Sequence, residues 1–313
     1  MMKRQAWEEK SATIKAAFDK LKAEHPERLQ RRIDLSYCCQ TFGWEPIPKS
    51  IERLAGLGYR YIELPGQYGG PDIGPHVHLT EILRALDKYN MACSGVCTLS
   101  MEGFGLNDKN YFHRQMAVDY IRGVVRFARD AGGSYCLLTP APCPLPPIDG
   151  GDWVRAASTL HDVADIFTEC GVKGALEPVQ PGQCAIVNNL TEARRFLKDV
   201  DHPGFCHIYG DTDHILHTED HVGMAILDNA DLLLNLHLRD TNQGLPIGHG
   251  MLDVDTVIRA LYLIGFNTPG HFACAEPATK GRIFIEVDEE TKRMRARDTI
   301  ETFREREEAV LHG

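Results

Sequence analysis

Short apolar runs alternate with longer amphipathic segments along most of the chain. The runs have the length and composition of buried strands, whereas the amphipathic segments repeat their apolar positions at helical spacing. Glycine closes several amphipathic segments, as in "PKSIERLAGLG", where a helix is expected to end. The predicted strands are "RIDLSYC", "YRYIEL", "MACSGVCTL", "SYCLLTP", "VKGALEP", "GFCHIYGD", "LLLNLHLRD" and "HFACAEP".

This alternation predicts a fold of the α/β class. Strands separated by helices pair in parallel through right-handed crossovers, and eight such units indicate a closed (β/α)8 TIM barrel. We assign the barrel to residues 31–313 as a single domain. Residues 1–30, which include "AWEEKSATIKAAFDKLKAEH", read as a highly charged amphipathic helix, and we expect a helical extension added to the barrel.

Charge and hydropathy remove two classes of partner. The net charge is -10, with acidic and basic residues interspersed, so the chain lacks the basic face that binds a phosphate backbone. We therefore expect no nucleic-acid partner. No apolar run approaches the ~20 residues of a membrane span, and we expect no membrane partner either.

The chain contains ten cysteines, most of them inside apolar runs. Because no apolar leader precedes them, we interpret them as reduced, buried thiols of a cytoplasmic protein. Cys93 and Cys97 form a C-x3-C pair without a second pair at zinc-finger spacing, which favours core packing. Cys143, in the proline-rich segment "PAPCPLPP", is the thiol that we expect to lie nearest a functional site.

Polar residues that suit a metal follow several of the predicted strands. In a TIM barrel the functional residues lie at the carboxyl ends of the strands. The last four strands deliver three carboxylates and one imidazole to that end, a set that suits Mn2+ and also Mg2+, Co2+ or Fe2+. The four candidate metal ligands are Glu177, Asp211, His237 and Glu276.

Each of these residues also has an ordinary structural interpretation. An acid at a strand end often caps the next helix, and a histidine in an apolar run is usually a hydrogen-bonded core residue. The segment "YGDTDHILHTED" illustrates the choice, because Asp211 at the end of its strand suits either role. Only the agreement of four consecutive strand ends favours the metal site.

In these motifs the chain resembles the xylose-isomerase-like barrels, especially the ketose 3-epimerases and related sugar isomerases and epimerases. The matching segments are "ALEP", "GDTDH", "HLRDTN", "PIGHGMLD" and "AEP", in the family's order. The resemblance implies one Mn2+-like ion on the four residues named above. It also implies that Glu177 and Glu276 are the catalytic acid/base pair and that His214 is catalytic through contact with the substrate.

The resemblance also indicates a reaction. A carboxylate would remove the proton α to the carbonyl of a keto-sugar, giving an enediolate that is reprotonated to an epimer or an isomer. One position departs from the family pattern, since Gln243 stands where family epimerases carry an arginine six residues after His237. Arg239 is a candidate to replace that arginine. We therefore expect Glu63, Arg239 and Gln243, with His214, to be substrate-binding residues.

Three alternative functions remain open at the level of sequence. The segments "RIDLSY", "YIELPGQYGGPDIG" and "HIYGDTDH" also resemble C-glycoside deglycosidase catalytic subunits, which enolise a 3-keto-glycoside and then expel the aglycone. That resemblance implies a keto-glycoside substrate and a hetero-oligomer with a small subunit, whereas an epimerase is expected to be a homo-oligomer. An endonuclease IV-type nuclease and a non-catalytic binding barrel are the remaining readings.

Overall fold

The computed structural model describes residues 2–66, 78–98, 105–143, 146–278 and 286–313. Eight parallel strands run in the order β1-β8-β7-β6-β5-β4-β3-β2, so that neighbours in sequence are neighbours in the sheet. A parallel bridge between Cys38 and Glu63 joins the two end strands. The predicted (β/α)8 barrel is confirmed. The strands are β1 (Leu35–Tyr37), β2 (Tyr61–Pro65), β3 (Ala92–Thr98), β4 (Tyr135–Leu138), β5 (Lys173–Leu176), β6 (Phe205–Asp211), β7 (Leu233–Leu238) and β8 (Ala273–Ala275).

Helices surround the barrel and follow the strands as predicted. The described helices are α1 (Met2–Glu24), α2 (Ile47–Gly56), α3 (Leu79–Tyr89), α4 (Tyr111–Asp130), α5 (Asp152–Val163), α6 (Asp165–Cys170), α7 (Leu190–Val200), α8 (Thr212–Thr218), α9 (Val222–Asp228), α10 (Thr241–Gly244), α11 (Val254–Leu263) and α12 (Glu289–His312), with 3-10 turns at Pro26–Leu29 and Cys39–Phe42. Among the residues described, no helix is long and apolar enough to cross a membrane.

Two helical segments are each divided in the structure. The segment "DWVRAASTLHDVADIFTECG" after β4 has the apolar spacing of one continuous helix, but it divides at Ala164 into α5 and α6. At this break the carbonyl oxygen of Ala164 approaches Gly204, where an added Cβ would lie 2.3 Å from that oxygen. The segment after β6 also divides, since α8 starts directly at the strand end and is followed by α9. The start of α8 brings backbone amides to the carboxyl end of β6.

The core has an outer and an inner layer. The outer layer packs the helices onto the barrel and includes the large side chains Phe127, Phe167 and Phe205. The inner layer fills the barrel with a smaller group. That group is Cys38, Cys97, Tyr135, Leu137, Ala175, Tyr209, Leu234, Phe272 and Cys274. A filled interior is the normal state of an eight-stranded barrel, so the reactive groups are confined to its rim.

The N-terminal helix α1 joins the outer layer. Its residues Ile14 and Phe18 are buried in the same core cluster as the barrel helices. The ring of Phe18 meets Tyr262 of α11 edge-on, at 6.2 Å between centroids. Ser11 Oγ lies 3.0 Å from Nε2 of His221, the residue that caps α9. The extension therefore packs on α9 and α11 through both apolar and polar contacts.

Candidate active site

The four candidate metal ligands come together at the carboxyl end of the barrel. One ligand atom from each lies within 4.8 Å of the others, and all four side chains are buried. Asp211 and His237 are register partners on β6 and β7. The backbone N–H groups of Glu177 and Glu276 donate to the last residues of β4 and β7, at 3.0 and 3.1 Å. The sheet thus fixes the position of each ligand backbone.

Asp211 caps the next helix with one carboxylate oxygen and leaves the other without a hydrogen-bond donor in the described part of the chain. Its Oδ1 accepts hydrogen bonds from the backbone N–H groups of Asp213 and His214, at 2.7 and 3.0 Å, and so caps α8. Its Oδ2 is buried and has no hydrogen-bond partner among the described residues. A buried carboxylate oxygen without a donor is costly, so this atom is the natural point for a cation.

His237 lies between the acid cluster and a further carboxylate. Its Nδ1 faces the cluster, 3.2 Å from Glu177 Oε1 and 3.6 Å from Glu276 Oε2. On the opposite edge of the ring, Nε2 lies 2.9 Å from Glu63 Oε1. A carboxylate behind the imidazole fixes the orientation and tautomer of a metal-binding histidine. The geometry therefore points Nδ1 at the site and places Glu63 below it, in the barrel.

Two tyrosines that the sequence did not single out hold Glu63 in place. Tyr135 and Tyr209 donate their hydroxyl groups to Glu63 Oε2, at 2.6 and 3.0 Å. All three residues are fully buried. They belong to strands β2, β4 and β6, and alternate strands of a TIM barrel contribute to one interior layer. Tyrosine and glutamate residues on alternate strands thus indicate a polar layer inside the barrel, once the barrel is recognised from the sequence.

Arg239 enters the ligand cluster from the segment after β7. Its Nε lies 2.7 Å from Asp211 Oδ2, and its Nη1 lies 3.3 Å from Glu276 Oε2. Its Nη2 lies 2.7 Å from Nε2 of His214. Because a guanidinium only donates hydrogen bonds, Nε2 of His214 is the acceptor and the ring proton is on Nδ1. That Nδ1 is buried and has no partner within the described part of the chain.

The environment separates the pKa values of the acids. Burial, reinforced by the charges of Glu177 and Asp211, raises the pKa of Glu276 to about 7. Burial likewise raises the pKa of Glu177 above its usual range. Burial opposes ionisation of Asp211 too, but the charge of Arg239, together with the two neighbouring histidines and a hydrogen bond from the backbone of His214, outweighs it and lowers the pKa of Asp211 to about 2. Without a metal, the environment thus favours the neutral forms of Glu276 and Glu177 and the ionised form of Asp211.

The pKa values of His214 and His237 are shifted in opposite directions. Burial and the charge of Arg239 lower the pKa of His214 to about 3, so this ring stays neutral. Burial also disfavours the charged form of His237, but the carboxylates of Glu276 and Glu63 raise the pKa of His237 well above its usual value. Protonated His237 and Arg239 are therefore the cations that balance the acid cluster when no metal is bound.

The donor set fits a divalent cation of the Mn2+ or Mg2+ type. Three carboxylates and one imidazole converge, and the orphaned Oδ2 of Asp211 lies among them. Thiols offer a competing set, since Cys38 and Cys97 lie near His237 and Glu276, but the thiolate is the form that binds metal. Burial raises the pKa of both thiols, to about 11 for Cys97, so the oxygen-rich set is favoured.

Other predicted residues lie near the cluster or outside the described part. Gln243 belongs to α10, and its side chain lies outside the described residues. The loops expected to shape the pocket fall partly outside them as well, at residues 67–77, 99–104 and 144–145. Cys143 is half-buried in the loop after β4, and its Sγ lies 3.5 Å from the carbonyl oxygen of Ala141. All ten cysteines are free thiols.

The comparison with protein families agrees with the barrel fold. The family described as the xylose isomerase-like TIM barrel matches residues 51–305. The chain belongs to this family. As a xylose isomerase-like barrel, it is 32% identical over 117 residues to the D-psicose 3-epimerase of Ruminiclostridium cellulolyticum, covering 37% of this chain and 39% of that protein. It is 31% identical over 124 residues to the 3-dehydro-D-guloside 4-epimerase of Escherichia coli, covering 37% and 46%.

The chain thus aligns with less than half the length of these curated relatives. Solved structures of two epimerases match over nearly their whole length. The D-psicose 3-epimerase of Clostridium cellulolyticum H10 with D-tagatose gives a TM-score of 0.75 at 20% identity, over 87% of this chain and 99% of that one. The 3-keto-D-glucoside 4-epimerase of Escherichia coli gives 0.69 at 22% identity, over 88% and 100%. At such identities these structures show the shared fold.

Proposed function

We propose that the protein is a divalent-metal-dependent sugar isomerase or epimerase that abstracts the proton α to the carbonyl of a keto-sugar. The observation that carries the proposal is the buried cluster of Glu177, Asp211, His237 and Glu276, whose ligand atoms converge within 4.8 Å. The family, and relatives named as epimerases of ketoses and of a keto-glycoside, support the same class of reaction.

The acid pair supplies the proton transfers. Glu177 and Glu276 approach the site from β5 and β8, and each has a raised pKa. A carboxylate held beside a carbon acid can accept a proton from it and return a proton to it. One of the two removes the α proton, and the other protonates the enediolate from its own side. Return to the same carbon gives an epimer, and return to the neighbouring carbon gives an isomer.

Two further residues would orient the substrate. His214 is neutral and carries its proton on Nδ1, which is buried and has no partner among the residues described. We assign this N–H to a hydroxyl or carbonyl oxygen of the substrate. Arg239 holds His214 in that tautomer through the contact with Nε2. Glu63 would affect the substrate only indirectly, because it positions His237 and does not face the rim of the barrel.

Glu177, Asp211, His237 and Glu276 would hold the cation, with His237 binding through Nδ1. We propose Mn2+, with Mg2+, Co2+ and Fe2+ as alternatives, because the set mixes carboxylates with one imidazole. The chemistry supplied by a bound divalent cation would be polarisation of the substrate carbonyl and stabilisation of the negative charge that develops on its oxygen. The chain's own residues contribute the proton transfers, the orientation of the substrate and the exclusion of water from the buried cluster.

The substrate is proposed at the level of a class. Free ketoses and keto-glycosides both present a carbonyl beside a hydroxyl-bearing carbon, and relatives of both kinds match this chain. The second candidate, a C-glycoside deglycosidase, begins with the same enolisation and ends with loss of the aglycone. A keto-glycoside epimerase is among the matches, and a C-glycoside deglycosidase acts on the same kind of substrate. The deglycosidase therefore remains the second candidate.

Deuterium incorporation distinguishes these outcomes. The Mn2+-loaded protein is incubated in D2O with a panel of free ketoses and 3-keto-glycosides, and the α carbon is followed by NMR. Exchange with a new epimer or isomer supports the proposed function, whereas exchange with release of the aglycone supports the deglycosidase. Absence of exchange with every carbonyl sugar would contradict enolisation and favour a non-catalytic barrel.

We also propose that the protein acts as an oligomer. Apolar side chains are exposed at the start of α4, where Tyr111 is 64%, Phe112 74% and Met116 53% exposed. Exposed patches of this kind often mark protein interfaces. If the protein is an epimerase, we expect a homo-oligomer. If it is a deglycosidase, we expect a complex with a small second subunit. Light scattering of the protein expressed alone, followed by pull-down from its native lysate, separates them; a monomer without a partner would contradict both.

A further inference from the structure

A permanent cation of the chain shares two carboxylates with the proposed metal site. The guanidinium of Arg239 approaches Asp211 Oδ2 through Nε at 2.7 Å and Glu276 Oε2 through Nη1 at 3.3 Å. Its side chain is only 6% exposed. Since arginine keeps its charge throughout the working pH range, this positive charge is always present next to the ligands.

The contact with Asp211 supplies charge but does not satisfy the acceptor. Nε of Arg239 and Oδ2 of Asp211 are close, but the two atoms do not form a hydrogen bond with each other or with any other described residue. The N–H of Arg239 is therefore not directed at the oxygen. A well-formed arginine–carboxylate pair is instead aligned and often bidentate. The guanidinium therefore neutralises Asp211 and leaves its Oδ2 available to a better-placed cation.

The backbone of Arg239 is fixed while its head group lies among the ligands. The hydroxyl of Thr212 accepts from the backbone N–H of Arg239 at 3.0 Å and donates to the backbone oxygen of Arg239 at 2.6 Å. At its far end the guanidinium donates to His214 Nε2. The head group is thus tethered within reach of Asp211 and Glu276, and it cannot be lost to solvent as a free ion would be.

We propose that Arg239 is a built-in competitor of the divalent cation for Asp211 and Glu276, and that it sets how tightly the site binds metal. This inference rests on the metal site of the proposed function. Without metal the guanidinium offsets the repulsion between the clustered carboxylates, so the site stays assembled. A divalent cation that enters must overcome both the contact with Asp211 and the repulsion from a neighbouring positive charge.

Metal binding by an Arg239→Met variant tests the proposal without any sugar. Methionine keeps much of the arm's length and removes the charge. Binding of Mn2+ is titrated by electron paramagnetic resonance and by calorimetry, after removal of metal with a chelator. Because repulsion between charges a few ångströms apart is strong in a buried site, we expect Arg239→Met to bind Mn2+ at least about tenfold more tightly than the unaltered protein. Arg239→Lys, which keeps a charge, should change the affinity less.

Two controls make the outcome decisive. Arg122→Met removes an arginine that pairs with Asp165 on the outer helices and should leave the Mn2+ affinity unchanged. Arg239→Ala opens space for added methylguanidinium, which should weaken Mn2+ binding in that variant and not in the unaltered protein. If metal-free Arg239→Met does not fold, the methylguanidinium titration on Arg239→Ala refolded with Mn2+ carries the test.

Equal or weaker Mn2+ binding in Arg239→Met, or no effect of methylguanidinium on Arg239→Ala, would overturn the competitor role. Weaker binding would show instead that Arg239 supports the metal site. Normal Mn2+ binding with the expected tightening, but no deuterium exchange with any sugar, would contradict the proposed function and leave this inference standing. The two proposals therefore fail in different measurements.

Discussion

Glu63 Oε1 lies 2.9 Å from Nε2 of His237, a contact that joins β2 to β7 across the interior of the barrel. Burial disfavours a charged Glu63, but the positive charge of His237 and hydrogen bonds from the tyrosines Tyr135 and Tyr209 lower its pKa. Glu63 is therefore an ionised carboxylate inside the barrel. It would make His237 a more basic ligand for the proposed metal, and it fixes which ring nitrogen faces the acid cluster.

Replacing Glu63 should lower the affinity of the proposed site for metal without changing the shape of the site. We expect Glu63→Gln to reduce Mn2+ affinity by about 10–100-fold, because the charge behind the imidazole is lost while the shape is kept. Calorimetric titration with Mn2+ measures this effect. Tyr209→Phe is the matched control: it removes one hydrogen bond to Glu63 and keeps the carboxylate, so its effect should be smaller. Unchanged affinity in Glu63→Gln would contradict a role in positioning His237.

Each acid of the catalytic pair should be required for proton transfer. Glu177→Gln and Glu276→Gln are expected to slow deuterium exchange by about 10²–10⁴-fold at saturating Mn2+, because each amide lacks a transferable proton site of suitable pKa. The rates are measured by NMR in D2O, with Mn2+ occupancy checked separately. Asp162→Asn, an exposed acid on α5, is the control and should exchange normally. Full exchange in either glutamine variant, with metal bound, would remove that residue from the pair.

The metal-free protein should lose stability as the pH rises towards neutrality. The folded-state pKa of Glu276 is raised from 4.5 to about 7, so the folded state binds this proton more tightly than the unfolded state. The contribution is present below about pH 4.5 and is lost by about pH 7, and it amounts to up to about 3 kcal/mol.

Urea unfolding in the presence of a chelator measures this loss. Between about pH 5 and about pH 7.5 the free energy of unfolding should fall more for the unaltered protein than for Glu276→Gln, which has no proton to lose. Asp211 does not interfere, because its pKa is lowered to about 2 and its contribution is lost only as the pH falls towards that value. Parallel profiles for the two proteins would contradict the raised pKa.

Thiol chemistry should leave turnover unaffected. A hydrogen bond with Cys184 and burial raise the pKa of Cys143 above that of a free thiol, so its reactive thiolate is scarce at neutral pH. The same hydrogen bond lowers the pKa of Cys184, but that thiol is buried and shielded from the reagent. We expect iodoacetamide at neutral pH to leave deuterium exchange unchanged, with labelling sites read by mass spectrometry. Rapid inactivation together with alkylation of Cys143 would reveal a thiol function.

Local patterns sufficed to predict the fold and the candidate ligands. Each strand–helix unit carries its own apolar run and helical periodicity, and each ligand sits at a strand end that the run itself defines. The parallel order then brings neighbouring strand ends together, as for Asp211 and His237. The roles of these residues remain predictions until metal and substrate are tested.

The remaining features depend on contacts that no local pattern encodes. Glu63 and His237 are separated by 174 residues and meet only because the barrel closes. In a barrel strand both faces are buried, so apolar alternation does not show which side chains point inward, as Tyr135 and Tyr209 do. The approach of Arg239 to Asp211 depends on the path of a long side chain, which the sequence does not specify.

The proposed reaction depends on one divalent cation bound by Glu177, Asp211, His237 and Glu276. Crystals of the protein loaded with Mn2+, with data collected on both sides of the manganese absorption edge, test it most directly, alongside elemental analysis of the same sample. We expect about one Mn2+ per chain and a single anomalous peak about 2.0–2.3 Å from a ligand atom of each of the four residues. An Mn2+-treated crystal with these side chains in place and no anomalous peak between them would contradict it.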